Sequence, residues 1–182
     1  MTDDDRLPNA LEVAMKMPKN WGLIFRNYKN PNRYFEALEV AKICKFRRIT
    51  FLIGANLKIA NQLKADGVHI PEYLLKSKII NTIRNLYSKK IITTSAHNQA
   101  GVRIARTINA DAVLLSPVRK TKSHPKAFII KDHPFSAMAR LNKIDIYALG
   151  GIKILDKRKF LSLGATGIAG TSIYLDRIKT AV

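Results

Sequence analysis

The sequence predicts an α/β fold: a TIM-type (β/α)8 barrel lacking its first strand, with seven strands alternating with eight helices. Two observations carry that expectation. A helical run closes on Ala-Asp or Ala-Thr and an apolar strand follows at once, as Leu63-Lys64-Ala65-Asp66-Gly67-Val68-His69-Ile70, as Ile108-Asn109-Ala110-Asp111-Ala112-Val113-Leu114-Leu115, and as Leu163-Gly164-Ala165-Thr166-Gly167-Ile168-Ala169. Tight αβ junctions repeated in one form belong to a chain of βα units around a parallel sheet. Short apolar segments, each ended by a polar residue or glycine, also alternate with helical stripes along the chain. In such folds the chemistry sits just after the strands.

Taken in order, a helix over residues 8–17 opens the chain and a strand follows at 23–26. Tyr34, Leu38, Ala41 and Phe46 then give a buried helical stripe, with Asn32 as its expected N-cap. Strands follow at 49–53 and 67–70, a helix at 74–87, and a strand at 91–94. Ala100, Ile104, Ala105 and Ile108 form the next stripe, and the fifth strand is 112–115. Residues 116–131 are the longest non-periodic stretch, a loop on the expected active face. The remaining strands are 146–149 and 167–169; a helix over 157–163 has Asp156 as its expected N-cap, and a last helix spans 171–179.

Residues 1–7 are too polar for a further strand and are expected to be disordered within a single domain spanning 1–182. The barrel is therefore one strand short, which leaves two strands without a partner and would favour self-association. A doubly wound open sheet is the structural alternative. It usually has fewer strands and a glycine-rich first turn, and no G-x-G-x-x-G is present.

At 182 residues and 47% hydrophobic content the chain can bury a proper core, and no apolar run reaches membrane-spanning length. The acidic start precedes no apolar segment of a secretory signal. The lone Cys44 excludes an internal disulfide; with the missing signal, it points to the cytoplasm. Beside Ile43 and Phe46, it reads as a small buried hydrophobe. The net charge is +19, from 32 Lys and Arg against 13 Asp and Glu. Such a charge suits nucleic acid, anionic membrane or phosphorylated substrates. The cations are scattered rather than interleaved with aromatics, which favours a solvated surface over a nucleic-acid face.

The loops after the later strands share one theme. Ser95-Ala96-His97 follows the fourth strand and Ser116-Pro117-Val118-Arg119-Lys120-Thr121-Lys122-Ser123-His124-Pro125 the fifth. Gly150-Gly151 follows the sixth and Gly170-Thr171-Ser172 the seventh, where the last helix begins. Glycine lets a ligand approach the backbone, a helix N-terminus offers unpaired N–H groups, and hydroxyls with Lys or Arg complete an oxyanion cradle. Each element has a plainer reading: Gly150-Gly151 as a turn, Ser172 as an N-cap, Lys122 as a solvated charge, His97 as a structural histidine. His69, inside a strand, reads as structural and His133 as a surface residue.

The segments at 65–72, 95–97, 110–118, 121–125, 148–152 and 164–172, in this order, resemble the thiamine phosphate synthase/TenI family over roughly residues 20–175. That resemblance implies a (β/α)8 barrel joining hydroxymethylpyrimidine pyrophosphate to a thiazole phosphate, with a TenI branch that tautomerises the thiazole. It implies that Arg26 meets pyrophosphate, that Ser95 lies near the pyrimidine and the departing pyrophosphate, and that Thr121 and Ser123 belong to the pyrophosphate loop. Gly151, Ser172 and the adjoining helix N-terminus match the thiazole phosphate site. His97 matches the histidine given acid–base work in the tautomerase branch, a task suited to imidazole.

The chain departs from the synthase pattern in its charged groups. Where the family has Asn-Asp, this chain has Gly54-Ala55; where a second magnesium-binding aspartate belongs, it has Leu74. Two family lysines are replaced by Tyr28 and His124, while Arg119, Lys120 and Lys122 crowd the pyrophosphate loop. No metal-binding residue is assigned, and Mg2+ enters only if synthase activity survives. Three readings result: a synthase-like transferase, a metal-independent thiazole phosphate tautomerase, and a catalytically degenerate barrel that binds phosphate or another anion. All share a phosphorylated small molecule as partner and no membrane; nucleic acid is less favoured and oligomerisation is left open.

Overall fold

The computed structural model describes residues 1–6, 9–76, 87–121, 127–171 and 173. Seven strands form one sheet whose order follows the chain: β1 (Gly22–Phe25), β2 (Thr50–Gly54), β3 (Gly67–Ile70), β4 (Ile91–Ala96), β5 (Ala112–Leu115), β6 (Asp145–Leu149) and β7 (Gly167–Ala169). Among the described residues six α-helices alternate with them: α1 (Ala10–Lys16), α2 (Arg33–Arg47), α3 (Leu57–Gln62), α4 (Gln99–Thr107), α5 (Asp132–Leu141) and α6 (Lys157–Ser162). Each strand lies where the periodicity placed it, to within two residues. The helix expected over 74–87 begins as a 3₁₀ turn, Glu72–Lys76, and residues 77–86 lie outside the described residues. Most of the helix expected over 171–179 lies outside them too.

The chain divides into two compact units, Met1–His69 with Lys89–Ile91, and Ile70–Ser88 with Ile92–Val182. In the first, β1 and β2 pair in parallel with Leu23 opposite Phe51 and Phe25 opposite Ile53, and β2 pairs with β3 with Gly54 opposite His69. Leu23, Phe25, Val40 and Ile53 are fully buried between this sheet and α2. Arg47 ties α2 to α1 by donating from Nη1 to the Ala14 carbonyl at 3.1 Å. Cys44 is buried in the same layer, and burial pushes its thiol pKa up to about 12. Where the sequence suggests disorder over residues 1–7, residues 1–6 are held in place. Thr2 N–H donates to the Ile24 carbonyl at 2.9 Å, and Arg26 N–H donates back to the Thr2 hydroxyl at 2.7 Å.

In the second unit β4, β5, β6 and β7 pair in parallel, with Ser95 opposite Leu114, Leu114 opposite Tyr147 and Tyr147 opposite Gly167. Its core contains Ile92, Val102, Val113, Leu115 and Ile146, all buried. Phe135 of α5 meets Phe160 of α6 edge to face, with ring centroids 5.2 Å apart.

The Ala-Asp punctuation has a physical explanation. Lys64, Asn109 and Gly164 each take a positive φ (51°, 52° and 98°) and end a helix. The next amide, that of Ala65, Ala110 or Ala165, then donates to the carbonyl five residues back, on Ala60, Ala105 or Phe160. This is the Schellman closure of a helix, which satisfies carbonyls that would otherwise be orphaned. The alanine side chain is buried at the turn. The residue after it opens the strand. Asp66 receives Phe51 N–H on its carboxylate at 2.8 Å and returns its own N–H to the Phe51 carbonyl at 3.0 Å. Asp111 does the same with Ile92, at 2.7 and 2.8 Å. Thr166 keeps the backbone half of this pattern, donating to the Ile146 carbonyl at 2.8 Å.

The N-caps differ from those expected. Neither Asn32 nor Asp156 makes a side-chain cap to the helix it precedes; the caps come from Asn9, Asn56 and Asn98, which accept from the amides of Glu12, Ile59 and Gly101. Asp156 instead accepts from Lys153 N–H at 3.0 Å, closing the 3₁₀ turn Ile154–Asp156.

Candidate functional site

In the second unit, strand β4 runs two residues further than the sequence suggested. Ser95 is therefore a paired strand residue rather than a loop residue, and His97 is the first residue beyond the strand. Strand alternation places Thr93, Ser95 and His97 on one side, and Ala96 on the other side against α4. The His97 ring is held at both nitrogens. Nδ1 lies 2.8 Å from the Ser116 carbonyl and 3.3 Å from its hydroxyl, and Nε2 lies 3.3 Å from Glu72 Oε2. A carbonyl only accepts, so the 2.8 Å contact makes Nδ1 the donor and leaves Nε2 turned toward the carboxylate.

Glu72 was not singled out in the sequence. Its other carboxylate oxygen would lie 2.9 Å from a Cβ placed on Gly101, so the glycine in the first turn of α4 makes room for it. The imidazole remains half exposed, which keeps the ring in reach of a ligand while its orientation is fixed.

The loops after β5 and β6 are packed directly on each other. Gly150 and Gly151 have φ of +94° and +68°. A Cβ on Gly150 would come within 2.9 Å of Pro117 Cα, and one on Gly151 within 2.5 Å of the Lys120 carbonyl oxygen. Val118 N–H donates to the Leu149 carbonyl at 3.1 Å, and Ile130 N–H to the Pro117 carbonyl at 2.9 Å, so the start of the 117–121 segment is pinned. Thr121 is half-buried here, its methyl 3.5 Å from the position of a Gly150 Cβ. Arg119 does not point into open space: it pairs with Asp156 at 3.3 Å and lies over the Phe160 ring. Gly170 follows β7, and Thr171 beside it is buried. Lys122, Ser123, His124 and Ser172 lie outside the described residues.

In the first unit a second polar group gathers at the ends of β1 to β3. Arg33 Nη2 donates to the Gly54 carbonyl at 2.5 Å, and its guanidinium lies over the Tyr28 and Phe25 rings. A Cβ on Gly54 would meet the Tyr28 hydroxyl at 2.7 Å and Arg26 Cγ at 3.1 Å. The space a side chain at position 54 would fill is thus taken by a phenol and a guanidinium stem. His69 is buried nearby, and desolvation, followed by the Arg26 charge, pushes its pKa down to about 3. It is a neutral interior histidine, as its place in a strand suggested.

This arrangement is a poor host for magnesium. A hard divalent cation needs several oxygen ligands, carboxylates above all. Position 54 instead brings together two arginines and a tyrosine, position 55 is alanine and position 74 is leucine. Among the described residues no group of three or more His, Cys, Asp and Glu could hold a metal ion. The residues do not fit the magnesium expected of a synthase.

Parallel strands in chain order, alternating helices and polar residues gathered after the strand ends define a TIM-type α/β protein. The solved structure of thiamine phosphate pyrophosphorylase from Pyrococcus furiosus shares that fold, with a TM-score of 0.79 and 20% identity, over 95% of this chain and 84% of that one. The chain belongs to the thiamine monophosphate synthase (TMP-TENI) family, whose model matches residues 2–173. It is 32% identical over 151 residues to the putative thiamine-phosphate synthase 2 of Aquifex aeolicus, covering 83% of this chain and 80% of that protein. It is 29% identical over 170 residues to the thiamine-phosphate synthase of Prochlorococcus marinus subsp. pastoris, covering 91% of this chain but spanning about half of that relative, 48%. No helix among the described residues is long and apolar enough to cross a membrane.

Proposed function

We propose that the protein acts in thiamine biosynthesis on a thiazole phosphate, and that its chemistry is metal-independent proton transfer, as in the tautomerase branch of the family. One observation carries this reading: His97 stands at a strand end with Nδ1 on the Ser116 carbonyl and Nε2 facing Glu72. With Nδ1 donating to the carbonyl, Nε2 is the nitrogen left to take a proton from one ring atom of a bound heterocycle and return it at another, and the Glu72 carboxylate beside it stabilises the imidazolium formed in between. Nothing is consumed in that exchange. General acid–base catalysis of this kind contributes about 10²–10⁴-fold. The Gly150-Gly151 turn packed on the 117–121 segment, with Thr121 and Thr171 hydroxyls in the neighbouring loops, supplies backbone suited to the phosphate end of the substrate.

Coupling of the pyrimidine and thiazole halves is the second reading. The names of the relatives favour it, as does Arg26, which the resemblance matches to the family's pyrophosphate arginine. It demands that cationic side chains replace a divalent cation in neutralising the departing pyrophosphate.

Purified protein assayed with chelator for exchange between thiazole phosphate tautomers, and with magnesium for coupling to the pyrimidine pyrophosphate, separates the two. Exchange that survives chelator supports the first reading. Coupling product without chelator-resistant exchange rejects it for the second, and thiazole phosphate binding with neither activity leaves a phosphate-binding barrel.

A further inference from the structure

We propose that the second unit carries another oxyanion site, at the end of its strands opposite His97, which binds a condensed phosphate. A surface cleft of about 510 Å³ opens there, lined by Arg103, Arg106, Thr107, Asn109, Lys143 and Ile144. The arginines stand one turn apart on α4, so both reach the same side. Lys143 enters from the turn before β6, where a φ of 42° brings the chain round. None of these three cations has an ion-pair or hydrogen-bond partner among the described residues. The two carboxylates nearest in sequence are engaged elsewhere: Asp111 accepts from Ile92 N–H, and Asp145 accepts from the Thr166 hydroxyl.

The plain reading is that Arg106 complements the negative end of α4. That end carries about half an elementary charge. Three full positive charges around one cleft exceed what it requires, and Lys143 does not belong to the helix at all. The lining also selects among anions. It holds no aromatic ring on which a base could stack, which disfavours single-stranded nucleic acid. Two guanidiniums and an ammonium match oxygens spread over more than one phosphorus, since arginine binds phosphate through paired donors.

Titrating the full chain with inorganic tripolyphosphate at low salt, followed by backbone amide NMR, tests the assignment. Saturable shifts are expected at the amides of Thr107, Asn109, Ala110 and Ile144, weakening as salt rises. The double variant R103A/R106A should lose at least tenfold in affinity at these amides, and K143A a smaller factor. Circular dichroism and thermal unfolding unchanged from the parent would show that the variants still fold. Shifts confined to residues 117–121, or equal affinity in R103A/R106A, would overturn the proposal. An oligonucleotide of equal charge binding tenfold more tightly than tripolyphosphate at these amides would also overturn it, in favour of a polymer.

Discussion

His97 Nε2 lies 3.3 Å from Glu72 Oε2, and Gly101 in the first turn of α4 leaves room for the other oxygen of that carboxylate. Glu72 touches no substrate atom in this account; it acts through His97 and is a positioning residue. Glu72→Gln keeps shape and hydrogen bonding but removes the charge. The expected result is about a tenfold fall in kcat for tautomer exchange, an altered pH profile, and little change in KM. The thermal midpoint should stay within error, since the carboxylate is partly exposed. A fall in stability with an unchanged pH profile would show that Glu72 is merely structural.

The strand-opening aspartates should matter to stability rather than to chemistry. Asp66 and Asp111 each accept a part-buried strand amide. Replacing either by alanine strands that donor and is expected to cost about 1–3 kcal/mol, read as a lower urea midpoint at constant slope. Asparagine, which can still accept, should recover part of the loss.

Gly151 tests the packing of the two loops. With φ +68° and the Lys120 carbonyl 2.5 Å from any Cβ, Gly151→Ala must displace the 117–121 segment. We expect roughly 1–3 kcal/mol of destabilisation together with weaker binding of thiazole phosphate, measured by calorimetry. Tight binding in that variant would remove this turn from the phosphate site.

His69 predicts acid sensitivity. Its folded pKa is pushed down to about 3, so between roughly 6.5 and 3 the unfolded chain holds a proton there that the folded chain lacks. The stability linked to this group is fully present above pH 6.5. It drains away as pH falls, by up to about 1.4 kcal/mol per pH unit. In urea melts from pH 7 to 4, His69→Gln should show a shallower decline than the parent; parallel curves would contradict the buried, neutral ring.

Cys44 gives a simpler check. Burial lifts its thiol pKa to about 12, so alkylating reagent at pH 8 should leave the folded protein unmodified and label it fully in denaturant.

Much of the fold was legible because its signals are local. The Ala-Asp junctions report helix closure, a buried alanine and the first strand bond within seven residues, and all three junctions fall where the sequence put them. The end of α3 was legible from the helical run that closes at Leu63-Lys64, but its start was not, because six residues hold little periodicity and Asn56, its cap, is as good a loop residue as a cap. The cap assigned to Asp156 failed because its carboxylate turns back to Lys153, a choice between two nearby amides that sequence does not reveal.

The candidate site was legible only in part. His97 announced itself by its place after a strand. Its partner Glu72 is 25 positions away, and only the packing of the Glu72–Lys76 turn against α4 unites them. Likewise Gly54-Ala55, where the resemblance expects Asn-Asp, could be read as a lost ligand, but not that Tyr28 and Arg26 crowd position 54 while Arg33 bonds its carbonyl.

The central claim is that His97 moves a proton on a thiazole phosphate without a metal. The most direct measurement is solvent deuterium exchange between thiazole phosphate tautomers, followed by NMR in excess chelator, for the parent and His97→Ala. The account predicts chelator-resistant exchange in the parent and its loss by about 10²–10⁴-fold in the variant, with thiazole phosphate binding retained. Exchange that needs magnesium, or that persists undiminished in His97→Ala, would contradict it.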